Sequence, residues 1–309
     1  MTDTYPIGTP GTPWGDAEKK EWRQAQQARR SYAQEVLKRL EPLHAHFEFI
    51  EYGALSVAPD RYPLIAVKST RWEPDRPSIL ITGGVHGYET SGVQGAIRFL
   101  TTQAPVYLEA VNILAFPCVS PWGYETINRW NPAAIDPNRS FSGSGGSEEA
   151  AAVIRLLDTQ DIAFTVHFDL HETTDTDNTE FRPALAARDA KPQDVWQIPD
   201  GFYTVADSER PEPGFQRAII ESVEPVTAIA PPDDAGRLIG EPIQQKGVIT
   251  YPARALGLCM GVTAARFVTT TEMYPDSPRV DDENCIQAQV AAVRGGLRYL
   301  VQSMEAYSR

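Results

Sequence analysis

The run Gly83-Gly84-Val85-His86-Gly87-Tyr88-Glu89-Thr90 puts an imidazole and a carboxylate three residues apart. It directly follows an apolar stretch, Ser78-Ile79-Leu80-Ile81-Thr82. The carboxyl end of a buried strand is where open α/β folds place their sites. His with Glu is two thirds of a His₂Glu set, one of those that hold a catalytic zinc and leave a fourth position for water. HxxE alone arises often by chance, so a third ligand at the end of another strand is required. The chain has five histidines. His44 and His46 follow the first helical pattern and read as surface or packing residues. Phe168-Asp169-Leu170-His171-Glu172 supplies the ligand: in a strand, His167, Asp169 and His171 share one face, and His171 lies nearest the end. His167 then reads as a buried, hydrogen-bonded core histidine. A helical pair of His167 and His171 is the rival arrangement, disfavoured by the β-branched and aromatic neighbours. The chemistry of such a centre is metal-assisted hydrolysis, which needs a carboxylate to take and return a proton.

The elements that must position these groups are legible as periodicity. Strand-like runs occur at 47–52, 64–68, 78–82, 111–116, 163–170, 247–251 and 266–271. Helical patterns fall between them at 91–100, at 148–157 behind a Ser147 cap, and at 286–304. A long helix is expected from Asp16, as N-cap, to about Leu40, with Trp22, Ala25, Tyr32, Val36, Leu37 and Leu40 roughly on one face and Pro42 beyond its end. Residues 1–15, rich in Pro and Gly, read as an extended arm that could pack on a neighbouring chain. Residues 173–247 read as an irregular insertion with a helix near 215–222 and a strand near 226–230. Strands alternating with helices argue for one α/β domain over 16–309, with a sheet covered on both faces.

The chain has 309 residues, 42% hydrophobic and 22% charged, with a formal net charge of −13. That charge argues against a nucleic-acid partner. It does not exclude an anionic substrate, since local arginines can dominate a pocket. No apolar run is long enough to span a bilayer, and the N-terminus lacks the pattern of a signal peptide. Cys118, Cys259 and Cys285 are few and widely spaced, without a CxxC pair, which points to a reducing compartment and a cytoplasmic protein.

The order of motifs resembles that of the zinc carboxypeptidases of the carboxypeptidase A-like (funnelin) family, within the wider superfamily of aspartoacylases and succinylglutamate desuccinylases. The resemblance runs from about Phe47 to the C-terminal helix. Its motifs are HxxE after a strand, Asp136-Pro137-Asn138-Arg139-Ser140-Phe141, the strand ending in His171, and Arg266-Phe267-Val268-Thr269-Thr270-Thr271-Glu272. The resemblance implies an α/β fold with a mixed, twisted central sheet and helices on both faces. It implies one zinc ion on His86, Glu89 and His171. Asp136 would accept from the ring nitrogen of His86 that does not face the metal. Asn138 and Arg139 would bind the substrate's free carboxylate, a task suited to a planar guanidinium. Arg129, in Asn128-Arg129-Trp130-Asn131, would polarise the scissile carbonyl, and Tyr251 would close over the substrate. Glu272 would be the general base; at the end of a strand rich in Val, Phe and Thr its pKa should rise. Glu172 and Glu180 are weaker candidates for that role. Side-chain specificity is sought between Arg254 and Thr263.

The expected function is hydrolysis of the C-terminal amide bond of a peptide by a zinc-activated water with Glu272 as base. An N-acyl amino-acid deacylase of the aspartoacylase or desuccinylase type is the alternative. It ranks second because 47–68 resembles the two-strand lead-in of the peptidases and Tyr251 fits them better. A non-catalytic binding protein on the same fold is the lesser alternative, but it should lack a ligand or Glu272, and none is missing. The expected partner is a peptide or N-acyl amino acid with a free carboxylate, with no nucleic acid and no membrane.

Overall fold

Ser78–Gly83 is buried at every position, as a strand with helices on both faces must be. In the computed structural model, which describes residues 5–143 and 145–307 (backbone alone for 305–307), it is the fourth strand of an eight-stranded sheet. The strands are β1 (Phe47–Ala54), β2 (Pro63–Ser69), β3 (Ser78–Gly83), β4 (Asn112–Phe116), β5 (Phe164–Glu172), β6 (Tyr203–Asp207), β9 (Val248–Tyr251) and β10 (Phe267–Met273). A separate ribbon pairs β7 (Arg237–Leu238) with β8 (Glu241–Pro242). The sheet order is β1-β2-β4-β3-β5-β10-β6-β9. The centre is parallel, β4-β3-β5-β10, and β2 and β6 run antiparallel to it. Both inner edges of β5 are therefore paired, and its register aligns Asp169 with Thr82 and His171 with Glu272.

The helices are α1 (Asp16–Ala25), α2 (Lys38–Leu40), α3 (Thr90–Thr102), α4 (Ala104–Tyr107), α5 (Pro121–Thr126), α6 (Glu148–Gln160), α7 (Arg182–Asp189), α8 (Pro213–Val223) and α9 (Asp282–Tyr307). On one face, α3, α8 and α9 bury Val93, Phe99, Phe215, Ile219, Val293 and Leu297 against Phe168 and its neighbours. On the other, α6 brings Ala150, Val153 and Leu156 to Leu80, Leu114 and Val268. Ser147 caps α6, its hydroxyl accepting from Ala150 N at 3.3 Å. The mixed sheet covered on both faces is the expected architecture.

Three expectations are corrected. The long helix from Asp16 to Leu40 is broken: α1 stops at Ala25, Gln26 is extended, and helical turns resume only at Ala33. No Gly or Pro causes the break. Tertiary hydrogen bonds do: Arg29 N and Tyr32 N donate to the Glu125 backbone oxygen and carboxylate, at 2.7 and 2.9 Å. The N-cap is Gly15 rather than Asp16, and its N–H donates to Glu18 at 2.8 Å. The 173–247 segment is more regular than its composition suggests. It donates β6 to the main sheet and forms α7 and α8, whereas 226–230 makes only a single bridge, Ile229 to Phe202. β6 is short and wholly buried, so it lacks the alternation that marks a half-exposed strand.

Of the 1–15 arm, residues 1–4 lie outside the described residues. The remainder has no regular structure and folds back on its own chain, with Trp14 buried and Trp14 N donating to Arg188 O at 2.8 Å. Cys118, Cys259 and Cys285 are buried free thiols. Among the described residues no helix is long and apolar enough to cross a membrane.

Candidate metal centre

Gly84 leaves β3 at φ +60, a conformation that favours glycine, and a Cβ there would lie 2.5 Å from Val93. The chain turns over itself, and Glu89 becomes the residue that caps α3. The turn holds His86 and Glu89 at 2% and 1% exposure, and His171 from β5 joins them at 1%. Glu89 lies between the two rings: Oε1 is 2.7 Å from His86 Nδ1 and Oε2 is 2.7 Å from His171 Nδ1. The three ligand atoms lie within 4.8 Å of one another. The 2.7 Å contact of Glu89 Oε2 with His171 Nδ1 is not aligned as a hydrogen bond, which leaves a buried carboxylate oxygen that a divalent cation would satisfy. Two imidazoles and one carboxylate form the donor set that suits zinc.

Each imidazole turns its other nitrogen to a carboxylate. His86 Nε2 is 2.9 Å from Asp136 Oδ1, and His171 Nε2 is 3.0 Å from Asp169 Oδ2. Carboxylates in that position fix ring orientation and raise ligand basicity. Burial opposes the charged form of Glu89, but His171 and His86 outweigh it and hold the carboxyl down at about 2. Burial likewise opposes charge on His171, and Asp169 and Glu89 together push its pKa well above the usual imidazole range. Asp169 is the partner that the sequence reading named on the right face without assigning. The strand's period of two was the available signal.

His167 is fully buried, and its Nε2 lies 2.9 Å from Thr82 Oγ1. That hydroxyl also donates to Asp169 Oδ1 at 2.6 Å and meets Cys259 Sγ at 3.5 Å. Thr82 thus sits amid His167, Asp169 and Cys259, a second buried group of potential ligand atoms, and hydrogen-bonds to them. Burial lowers the His167 pKa from 6.5 to about 4. The unfolded chain therefore takes a proton that the folded protein refuses. The associated stability is intact above pH 6.5 and is lost as pH falls through 4, up to about 3 kcal/mol. Urea unfolding of wild type and His167→Gln should show it: between pH 6.5 and 4 the wild type loses more stability than the variant.

Glu272, at the end of β10, accepts a hydrogen bond from Thr173 Oγ1 at 2.8 Å. Tyr203 of β6 lies 2.7 Å from the same hydroxyl, so the tyrosine is the donor in that contact. Burial pushes the Glu272 carboxyl up to about 8, against the pull of His171. Glu172 has other work: its carboxylate accepts from Thr90 N and Ser91 N at 3.0 and 2.7 Å, binding the start of α3. Glu180 is exposed and stands apart from the cleft.

Arg129 follows Ile127, a β-branched residue at φ +53 that ends α5. Its Nε donates to Asp136 at 3.2 Å and its Nη1 to Asp177 at 3.1 Å. Asp177 also accepts from Tyr88 Oη at 2.9 Å. Nothing in the sequence pattern pointed to Asp177, which lies in the 173–247 segment. Asn138 Oδ1 accepts from Cys259 N at 2.7 Å, so its Nδ2 is the end left for a ligand. Arg139 is exposed, with Nη1 bonded to Asn138 O at 2.7 Å. Burial raises the Tyr251 pKa to about 12, keeping the phenol neutral.

One cavity of about 790 Å³ contains the metal-ligand candidates His86 and Glu89 together with Arg129, Asn138, Arg139, Tyr251 and Glu272. Of the 254–263 stretch it touches Leu258. Trp14 of the arm and Arg182, Leu185 and Trp196 of the 173–247 segment also line it.

Residues 75–199, which carry the three ligand candidates, match the family model of the succinylglutamate desuccinylase/aspartoacylase catalytic domain. The fold is shared with a candidate metallopeptidase of Shewanella amazonensis SB2B, at TM-score 0.63 and 20% identity, over 86% of this chain and 91% of that one. The metallo-carboxypeptidase of Burkholderia cenocepacia matches at TM-score 0.60 and 15% identity, over 94% and 70%. The chain therefore shares the fold of these metallopeptidases, and its residues 75–199 resemble the desuccinylase/aspartoacylase catalytic domain. The fold is also shared with bovine thrombin-activatable fibrinolysis inhibitor, in complex with a tick carboxypeptidase inhibitor, at TM-score 0.58 and 13% identity, over 91% and 99%. No curated protein sequence matches the chain.

Proposed function

We propose that the protein is a zinc-dependent carboxypeptidase that releases the last residue of a peptide. The observation that carries this reading is the shared cavity: His86, Glu89, Arg129, Arg139, Tyr251 and Glu272 line one space of about 790 Å³. That is near the upper end of small-molecule sites, with room for a peptide end. When bound, a zinc ion supplies a Lewis acid that polarises the carbonyl and acidifies water. Glu272 takes the proton of the attacking water and delivers it to the departing amine. Arg129, held on both sides by Asp136 and Asp177, meets the charge that develops on the carbonyl oxygen. Arg139 and the Asn138 amide bind the terminal carboxylate, and Tyr251 covers it.

Arg139→Ala should lower kcat/KM about 10- to 100-fold on peptides with a free C-terminus, mostly through KM. The same substitution should leave cleavage of C-terminally amidated peptides unchanged. Steady-state kinetics on paired substrates test this.

A second reading, an N-acyl amino-acid deacylase, is favoured by the family-model match over residues 75–199. Zinc-loaded protein offered short peptides and N-acyl amino acids together, with products read by mass spectrometry, separates the two. Loss of single C-terminal residues supports the first. Release of acyl groups alone supports the second.

A further inference from the structure

Arg30 lies in the segment that interrupts the expected N-terminal helix, outside every motif of the superfamily resemblance. Its guanidinium commits all three nitrogens to the neighbourhood of the candidate ligands. Nη2 donates to Gly87 O at 3.0 Å and to Tyr88 O at 3.3 Å, the two carbonyls between His86 and Glu89. Nη1 donates to Thr90 Oγ1 at 2.6 Å. Nε donates to Tyr124 O in α5, and the plane lies over the Tyr124 ring, 3.8 Å from its centre.

The bonds straddle a seam. A Cβ on Gly87 would fall 2.1 Å from Tyr124 N, so the ligand-bearing turn packs backbone to backbone on α5. Arg30 holds one side through Gly87, Tyr88 and Thr90 and the other through Tyr124. The arginine is itself anchored, because Arg29 N donates to Glu125 O at 2.7 Å and Tyr32 N to the Glu125 carboxylate at 2.9 Å.

We propose that Arg30 is a positioning residue of the metal centre, clamping the His86–Glu89 turn against α5 and fixing the separation of its two ligand atoms. This rests on the reading of His86, Glu89 and His171 as metal ligands. A planar fork is required for the task, because one ammonium cannot reach carbonyls on both sides of the seam.

The test is zinc affinity of the full-length protein, by competition with a chromophoric chelator. Arg30→Ala should bind zinc about 10- to 100-fold more weakly, the range for loss of an outer contact that orients a ligand. Its metal-free circular dichroism and urea midpoint should stay close to wild type. Arg30→Lys should recover little. Thr90→Ala removes one of the clamped groups, which makes it the deciding variant if Arg30→Ala does not fold. It should cost on the order of 5-fold, and nothing further in the Arg30→Ala background. Wild-type affinity in folded Arg30→Ala, or in Thr90→Ala, would overturn the clamp. If His86→Ala binds zinc as wild type does, the ligand assignment fails instead, and the clamp with it.

Discussion

Replacing Glu272 with glutamine should lower kcat by about 10³-fold, the middle of the range for a positioned general base, and leave zinc affinity unchanged. Glutamine keeps the size of the side chain and can still accept from Thr173 Oγ1, which donates to Glu272 at 2.8 Å. The fold and the ligand set should therefore survive, and only proton transfer is lost. The pH profile gives an independent readout. Burial pushes the Glu272 carboxyl up to about 8, and a base works only when ionised. Activity should therefore fall as pH falls through its pKa. A bound cation favours the carboxylate, so in zinc-loaded protein that limb lies below 8. The glutamine variant should lack the limb altogether. Equal kcat in variant and wild type would remove Glu272 from the mechanism.

Replacing His171 with alanine should abolish both activity and stoichiometric zinc binding. Only two candidate ligands would remain, and Glu89 and Asp169 would each lose a buried imidazole partner now 2.7 and 3.0 Å away. A catalytic zinc site needs three protein ligands. Metal analysis after gel filtration should fall from about one ion per chain to a trace. Thermal unfolding should also lose its dependence on added zinc, which for intact protein at a thousandfold excess over Kd is worth about 4 kcal/mol. His167→Gln is the necessary contrast. Although His167 shares a face of β5 with His171, its nitrogen is committed to Thr82, so that variant should keep its zinc. Stoichiometric zinc in His171→Ala, or its loss in His167→Gln, would reverse the assignment.

How far each group could be read before folding depended on how local its determinants are. HxxE after an apolar run is a local statement, because the turn that ends β3 brings residues three apart together. Alternation along β5 is equally local, and it separated His171 at the strand end from His167 within it. The central strands, α3, α6 and α9 were legible for the same reason. Composition misled where a tertiary contact outweighed propensity. Nothing between Asp16 and Leu40 forbids a continuous helix, yet Glu125, distant in sequence, draws Arg29 and Tyr32 out of it. β6 was hidden because a short strand buried on both faces carries no alternation.

By itself, then, the sequence determined the turn that carries His86 and Glu89, the strand that faces it and the alternation of strands and helices, since each follows from spacing along one segment. Only the tertiary structure decided what holds them. Asp169 takes the His171 imidazole, Asp177 takes Arg129, Thr173 takes Glu272, and Arg30 takes the turn. Most of these pairs join segments far apart in the chain. A hydrogen bond depends on where two groups end up, and periodicity within a segment carries no record of that.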